Sequence, residues 1–385
     1  MTRFEEREPV DVTSNSHFQA PDELPPVDLL TPLAMRGVEL RNRIAVSPMC
    51  QYCATDGFAD EWHLVHLGSR AMGGAGLVMA EATGVTPEGR ISPSDLGLWK
   101  DEQIEPLARI VRFIEDQNSV PAIQLAHAGR KASTAAPWLG GHPVPHDQGG
   151  WQDIGPSPIP FYDRPAPREM TLEDIEAVQV AFERAVERAV QAGFRVIEIH
   201  SAHGYLLHSF LSPLSNHRQD QYGGSLENRM RMLLEIVARA RRVMPDELPL
   251  FVRISATDWV EGGWDITQSV ELSKHLRDAG VDLVDCSSGG LVPVAKIPVG
   301  KRYQVPFASQ IKHEAKIRTG AVGMITEPDD ANEIVMQHDA DLVFVGRQML
   351  REPYWAHRAY CELDSEPEWP TQYGYAVRKR VHAKG

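Results

Sequence analysis

In the segment Val196-Ile197-Glu198-Ile199-His200-Ser201-Ala202-His203-Gly204-Tyr205, a β-branched apolar run gives way to two histidines and a tyrosine. Two imidazoles and a phenol can donate hydrogen bonds to a substrate oxygen and deliver a proton. The apolar half of the segment reads as a strand buried on both faces, as in a parallel sheet. Such sheets carry their chemistry at the C-terminal ends of the strands. The segment therefore marks an active site of the hydrogen-bond-donor and proton-donor kind. His200 and His203 stand three apart, whereas a metalloprotease pair stands four apart on a helix around a glutamate. On an extended backbone, a metal between these histidines is not expected.

A strand end needs a frame. Short apolar runs recur at Ile44–Met49, Gly76–Ala82, Val120–Ala126, Val196–His200, Leu248–Ile254, Leu283–Ser287, Ala321–Ile325 and Leu342–Gly346. Segments of helical period separate most of them. The clearest is Thr171–Ala192, where Leu172, Ile175, Val178, Phe182, Ala185 and Ala189 trace one face. Thr171 with Asp174 resembles a capping box, and Gly193 supplies the stop. A second helix is expected over Ser225–Val243, ending in arginines that suit a helix C-terminus, and a third follows Thr267. Eight strands alternating with helices predict an α/β fold, a (β/α)8 TIM barrel. An open doubly wound sheet shares the alternation but usually has fewer parallel strands. No Gly-x-Gly-x-x-Gly follows a strand, and Gly73-Gly74-Ala75-Gly76 precedes one.

Residues 1–26, polar and charged, are expected to be a flexible arm, with the barrel over 27–360 and a tail over 361–385. Residues 129–168, rich in Pro, Gly, His and Trp, break the rhythm between the third strand and third helix. They are expected to cap the catalytic face, with Trp138, Trp151, Phe161 and Tyr162 as packing anchors.

Composition narrows the partners. A net charge of −14 argues against nucleic acid and anionic membranes and says little about small substrates, because local fields can oppose the global one. No apolar run approaches the roughly 20 residues of a membrane span, and the first residues lack a signal-peptide core. Four cysteines in 385 residues make no disulfide framework, so a cytoplasmic protein is expected. Cys50-Gln51-Tyr52-Cys53 matches C-x-x-C only formally, because neither a thioredoxin-like setting nor further metal ligands accompany it.

Candidate ligand-contacting residues, many of them polar, gather at the other strand ends. They include Ser47, Pro48, Met49, Cys50 and Tyr52 at the first, Ala82 after Glu81 at the second, and Gln124 on the third. Arg253 lies on the fifth, Cys286 and Ser287 on the sixth, Gly323 on the seventh, and Gly346 with Arg347 closes the eighth. Singly, Gln124 and Cys50 read as structural. Together, these residues suit a bound polar ligand across the barrel mouth. Gly323, Gly346 and Arg347 match the usual phosphate corner of barrels, and Arg253 suits an anionic ring system.

Longer motifs then meet a family. Arg41-Asn42-Arg43-Ile44 leads into Ser47-Pro48-Met49-Cys50-Gln51-Tyr52; later come Gln124-Leu125-Ala126-His127-Ala128-Gly129-Arg130-Lys131 and His200 through Leu206. Asp220-Gln221-Tyr222-Gly223-Gly224-Ser225-Leu226-Glu227-Asn228-Arg229 follows. The pattern, over roughly Leu29 to Tyr360, resembles the Old Yellow Enzyme family of FMN-dependent ene-reductases. It is most similar to the thermophilic-like class of bacterial NADPH dehydrogenases and xenobiotic reductases. The resemblance implies non-covalent FMN contacted by Ser47, Pro48, Met49, Cys50, Ala82, Gln124, Arg253, Gly346 and Arg347, with Gly323 near the phosphate. It implies NADPH as reductant and an activated alkene as oxidant. His200 and His203 would hold the substrate oxygen, Tyr205 would donate the proton, Tyr52 would line the pocket, and the Cys50 thiol would tune the flavin. A homo-oligomer, dimer or tetramer, is the family expectation.

The alternatives each lack a feature. Dienoyl-type relatives add iron–sulfur cysteines and a further domain, and a non-flavin barrel lyase wants a Schiff-base lysine or a metal cluster at a strand end.

Overall fold

The computed structural model describes residues 27–377. The arm expected over residues 1–26 and the basic Arg378-Lys379-Arg380 of the tail lie outside the described residues. Eight strands form a closed barrel: β1 (Ile44–Val46), β2 (Leu77–Gly84), β3 (Val120–Ala126), β4 (Val196–Ser201), β5 (Leu250–Ser255), β6 (Leu283–Ser287), β7 (Arg318–Ala321) and β8 (Leu342–Val345). Every neighbouring pair is parallel, and Val343↔Ile44 closes the ring between β8 and β1. Helices cross back outside: α1 (Glu61–Met72), α2 (Ile104–Asp116), α3 (Leu172–Gln191), α4 (Leu226–Val243), α5 (Ile266–Asp278), α6 (Val305–Ala315), α7 (Pro328–Met336) and α8 (Trp355–Glu362).

Burial on both faces explains why the strands are Val- and Ile-rich; every residue of β2 and β4 is buried. Each such aliphatic side chain contributes roughly 1.5–3 kcal/mol. The capping box at Thr171 and Asp174 is present, and Ser225 caps α4. A hairpin absent from the expected elements, Leu33–Met35 against Val38–Leu40, covers one end of the barrel. Arg36 in its turn binds Asp282 at 2.7 Å and the carbonyls of Asp246 and Gly280, all just ahead of strands. The N-terminal end is thereby closed, which leaves the C-terminal end for chemistry.

Several boundaries differ from expectation. The first strand stops at Val46, before Pro48, and α5 starts at Ile266 from an Asp265 cap. The seventh strand is Arg318–Ala321 rather than Ala321–Ile325, so Gly323 lies beyond it. Gly323 (φ 117°) and Met324 (φ 53°) turn the chain out of extended geometry there. Gly320 occupies the strand because the Phe344 ring presses on it; a Cβ would lie 2.4 Å from that ring.

The segment after β3 lies at the catalytic end. Trp151 donates to Glu88 O (2.8 Å) under the Arg90 guanidinium, and Phe161 lies 4.5 Å from Lys131 Nζ. Trp138 and Tyr162 are not buried anchors: they are 68% and 67% exposed. Trp138 instead meets Tyr52 edge-on, with centroids 5.5 Å apart.

Candidate active site

β4 delivers His200, but the backbone does not stay extended through His203. His203 (φ 60°) and Gly204 (φ 75°) are left-handed and fold the chain back on the strand end. The spacing of three therefore places His203 Nδ1 only 3.4 Å from His200 Nε2. Ala202 N–H donates to His200 Nδ1 (3.3 Å), which leaves the proton on Nε2. His203 is held by Ser255 Oγ, which accepts from its N–H (2.9 Å), and by Ser287 Oγ, 2.7 Å from Nε2. Lys131 Nζ ties its carbonyl to that of Gly290 (2.8 and 3.0 Å). Gly204 N–H donates to His208 Nδ1 (2.9 Å), whose other nitrogen faces buried Asp258 at 3.0 Å.

Gly290 (φ 85°) packs on this turn so closely that a Cβ would lie 2.7 Å from His203 Cα. Gly290→Ala is expected to cost about 1–3 kcal/mol of stability and to lower turnover by displacing His203. Denaturant unfolding alongside steady-state rates would show it; wild-type values for both would contradict the packing argument.

Burial, then Arg253, lowers the pKa of both site histidines well below the ordinary imidazole value. Both rings are therefore neutral at pH 7, each with one N–H to donate. Burial, then Cys50 and Tyr52, raises the Tyr205 phenol well above its ordinary value, so it keeps its proton. The Tyr205 ring lies 5.2 Å from His200.

The strand ends named from the sequence converge here. Ala82, Ala126 and Ala128 form a small apolar cluster against which Cys50, Trp151 and Tyr205 pack. A bulge between Ala80 and Ala82 leaves Glu81 unpaired on β2, and Glu81 accepts from Gln51 N–H (2.7 Å). Glu81 also meets His63 Nε2 (3.0 Å), while Asp60 meets Nδ1 (2.8 Å). Cys53 completes a cluster with Asp60 and His63, but both imidazole nitrogens are taken by carboxylates, so it reads as a hydrogen-bond network.

Burial, then Asp95 and Glu81, pushes the Cys50 thiol up, so it is not a thiolate at neutral pH. Iodoacetamide at pH 7.5 should therefore alkylate exposed Cys361 well before Cys50, read by peptide mass spectrometry. Faster labelling of Cys50 would contradict this.

Inside the barrel, Gln124 donates to Glu198 (2.7 Å), which fixes its amide. Arg253 reaches Ser47 Oγ (3.3 Å), and its Nε lies 3.1 Å from Asp285, too poorly aligned for a hydrogen bond. A cavity of about 400 Å³ opens beside them, lined by His203, Arg253, Ser287, Gly323, Gly346 and Arg347. Gly346 borders it without crowding: a Cβ there would make only ordinary contacts, 3.8 Å to Ser47 and 3.9 Å to the Met49 sulfur. A buried guanidinium, an oriented amide and a glycine-lined cavity with Arg347 at its edge suit FMN, whose ring offers polar edges and whose tail is anionic.

Lys131 and Ser287 emerge as parts of the site whose roles the sequence reading did not anticipate. Lys131 stood in the His127–Lys131 motif and Ser287 at a strand end, yet only the folded chain pairs them with His203.

Residues 28–366 match the model of the NADH:flavin oxidoreductase / NADH oxidase family. The NADPH dehydrogenase of Bacillus cytotoxicus is 48% identical over 354 residues, 91% of this chain and 97% of that protein. Morphinone reductase superposes with a TM-score of 0.74 at 26% identity, covering 90% of this chain and 92% of that one. The old yellow enzyme homologue of Zymomonas mobilis gives 0.73 at 26%, covering 87% and 93%. The chain is thus an FMN-using flavin oxidoreductase on a (β/α)8 barrel, a member of the NADH:flavin oxidoreductase / NADH oxidase family.

Proposed function

We propose that this enzyme takes hydride from NADPH and reduces the activated C=C bond of α,β-unsaturated carbonyl or nitro compounds. The observation that carries the reading is the pair His200 Nε2 and His203 Nδ1, 3.4 Å apart on neutral rings, beside a protonated tyrosine. When bound, FMN would supply the two-electron chemistry that links NADPH oxidation to reduction of the alkene.

The protein does the rest. His200 and His203 donate to one carbonyl or nitro oxygen, and their bonds strengthen as negative charge develops there. Each such donor is worth about 3 kcal/mol in a site of this kind. Tyr205 delivers its phenolic proton to the α-carbon. Gln124 and Arg253 bind the ring of the cofactor, and Gly323, Gly346 and Arg347 its phosphate. Ser47, Pro48, Met49, Cys50 and Ala82 line the cofactor site, with Cys50 present as a thiol. Tyr52, under Trp138, bounds the substrate pocket. Four free cysteines suit a reducing cytoplasm, and a homo-oligomer is the form we expect.

Purified protein should be yellow, release FMN on denaturation, and anaerobically oxidise NADPH beyond one equivalent per flavin only when 2-cyclohexenone is added, yielding cyclohexanone. Colourless protein that cannot be reconstituted with FMN would sink the proposal.

A further inference from the structure

The oxygen clamp makes a demand on His203 that His200 does not face. His200 has its tautomer set by the backbone, because Ala202 N–H occupies Nδ1. For His203 to donate to the same oxygen, its proton must sit on Nδ1, and Nε2 must then accept a hydrogen bond. The group against Nε2 is the Ser287 hydroxyl, 2.7 Å away at the C-terminal end of β6. A hydroxyl both donates and accepts, so it can serve either tautomer.

Without substrate, the contacts form a chain in one direction. His200 Nε2–H points at His203 Nδ1 (3.4 Å), His203 Nε2–H donates to Ser287, and Ser287 can donate to Gln304 Oε1 at 3.5 Å. An oxygen arriving between the histidines needs both as donors, which reverses the link between His203 and Ser287 and releases the contact from Ser287 to Gln304 Oε1. The reversal gives up little. Gln304 Oε1 already accepts a 2.6 Å bond from Ser288, so it does not depend on the long contact to Ser287.

We propose that Ser287 is a positioning residue that lets His203 change tautomer, accepting from Nε2–H in the free site and donating to Nε2 when substrate oxygen is clamped. This rests on the reading of His200 and His203 as the clamp. One proton leaves Nε2 and one arrives on Nδ1, so the charge of the pair is unchanged.

The tautomer is measurable directly. Oxidised holoenzyme without NADPH binds 2-cyclohexenone but cannot reduce it, and long-range 1H–15N correlation of 15N-histidine protein reports which ring nitrogen is protonated. His203 is assigned by difference with His203→Asn. The expected result is Nε2–H in free enzyme and Nδ1–H at saturating cyclohexenone. In Ser287→Ala the bound-state Nδ1–H signal should weaken and the dissociation constant should rise about tenfold, the scale of one lost hydrogen bond. Ser287→Thr, which keeps the hydroxyl, should restore both. A His203 that holds one tautomer in both states overturns the proposal, as does a Ser287→Ala variant that switches and binds like wild type. The wild-type spectra decide the matter even if the alanine variant fails to fold. Wild-type holoenzyme that does not bind cyclohexenone at all would instead overturn the clamp, and the proposal with it.

Discussion

Tyr205→Phe is expected to slow reduction of an enone by a factor of about 10²–10⁴, the usual contribution of a positioned general acid, while leaving reduction of the flavin by NADPH within a few-fold of wild type. The substitution removes one oxygen and keeps the ring. That ring packs against the cluster of Ala82, Ala126 and Ala128 and meets His200 edge-on at 5.2 Å, so the surrounding geometry should survive. Only the half of the cycle that needs a proton at carbon depends on the missing oxygen. Stopped-flow measurement of the two half-reactions separates them. An equal loss in both, or no loss in either, would contradict Tyr205 as the proton donor.

Arg253→Leu should have the largest effect on the fold itself. Arg253 is the cation between two buried carboxylates, Asp285 beside it and Glu198 nearby. Removing one partner of such a buried arrangement typically costs about 3–5 kcal/mol, because the remaining charge is stranded. The pH dependence has a definite sign. Burial raises the pKa values of Glu198 and Asp285, and Arg253 opposes that rise. A carboxyl raised above its unfolded value favours the fold fully below that value, about 4, and loses that contribution as pH climbs through its folded pKa. Without Arg253 both folded values move higher, so the deficit of the variant should widen between pH 5.5 and pH 8. The variant should also purify without flavin. Denaturant unfolding at the two pH values checks the sign, and an equal deficit at both would contradict it.

The barrel was legible in the chain because seven of its strands are runs of buried β-branched and apolar residues, whose pattern reports burial on both faces. The remaining strand, β7, escaped that logic. Arg318-Thr319-Gly320-Ala321 looks like a loop, and its glycine is there for the Phe344 ring of a neighbouring strand rather than for a turn. The apolar run that follows it is bent by left-handed residues that composition does not reveal.

In the site, His200, His203 and Tyr205 were conspicuous because three donors closely follow a strand. Their arrangement was not. An extended backbone would have carried His203 away from His200, and the left-handed turn that reunites them is unusual for a histidine. Contacts across the barrel were equally hidden. Glu198 orients Gln124 from 74 residues away and Ser287 reaches His203 from 84, separations over which local periodicity carries no information.

Anaerobic turnover of 2-cyclohexenone with NADPH in D2O, with the product examined by mass spectrometry and NMR, shows whether the histidines and Tyr205 act on an enone as proposed. The histidine clamp and tyrosine predict cyclohexanone formed one-for-one with NADPH oxidised, carrying a single deuterium on the α-carbon. An allylic alcohol, or NADPH consumed without any saturated ketone, would contradict it.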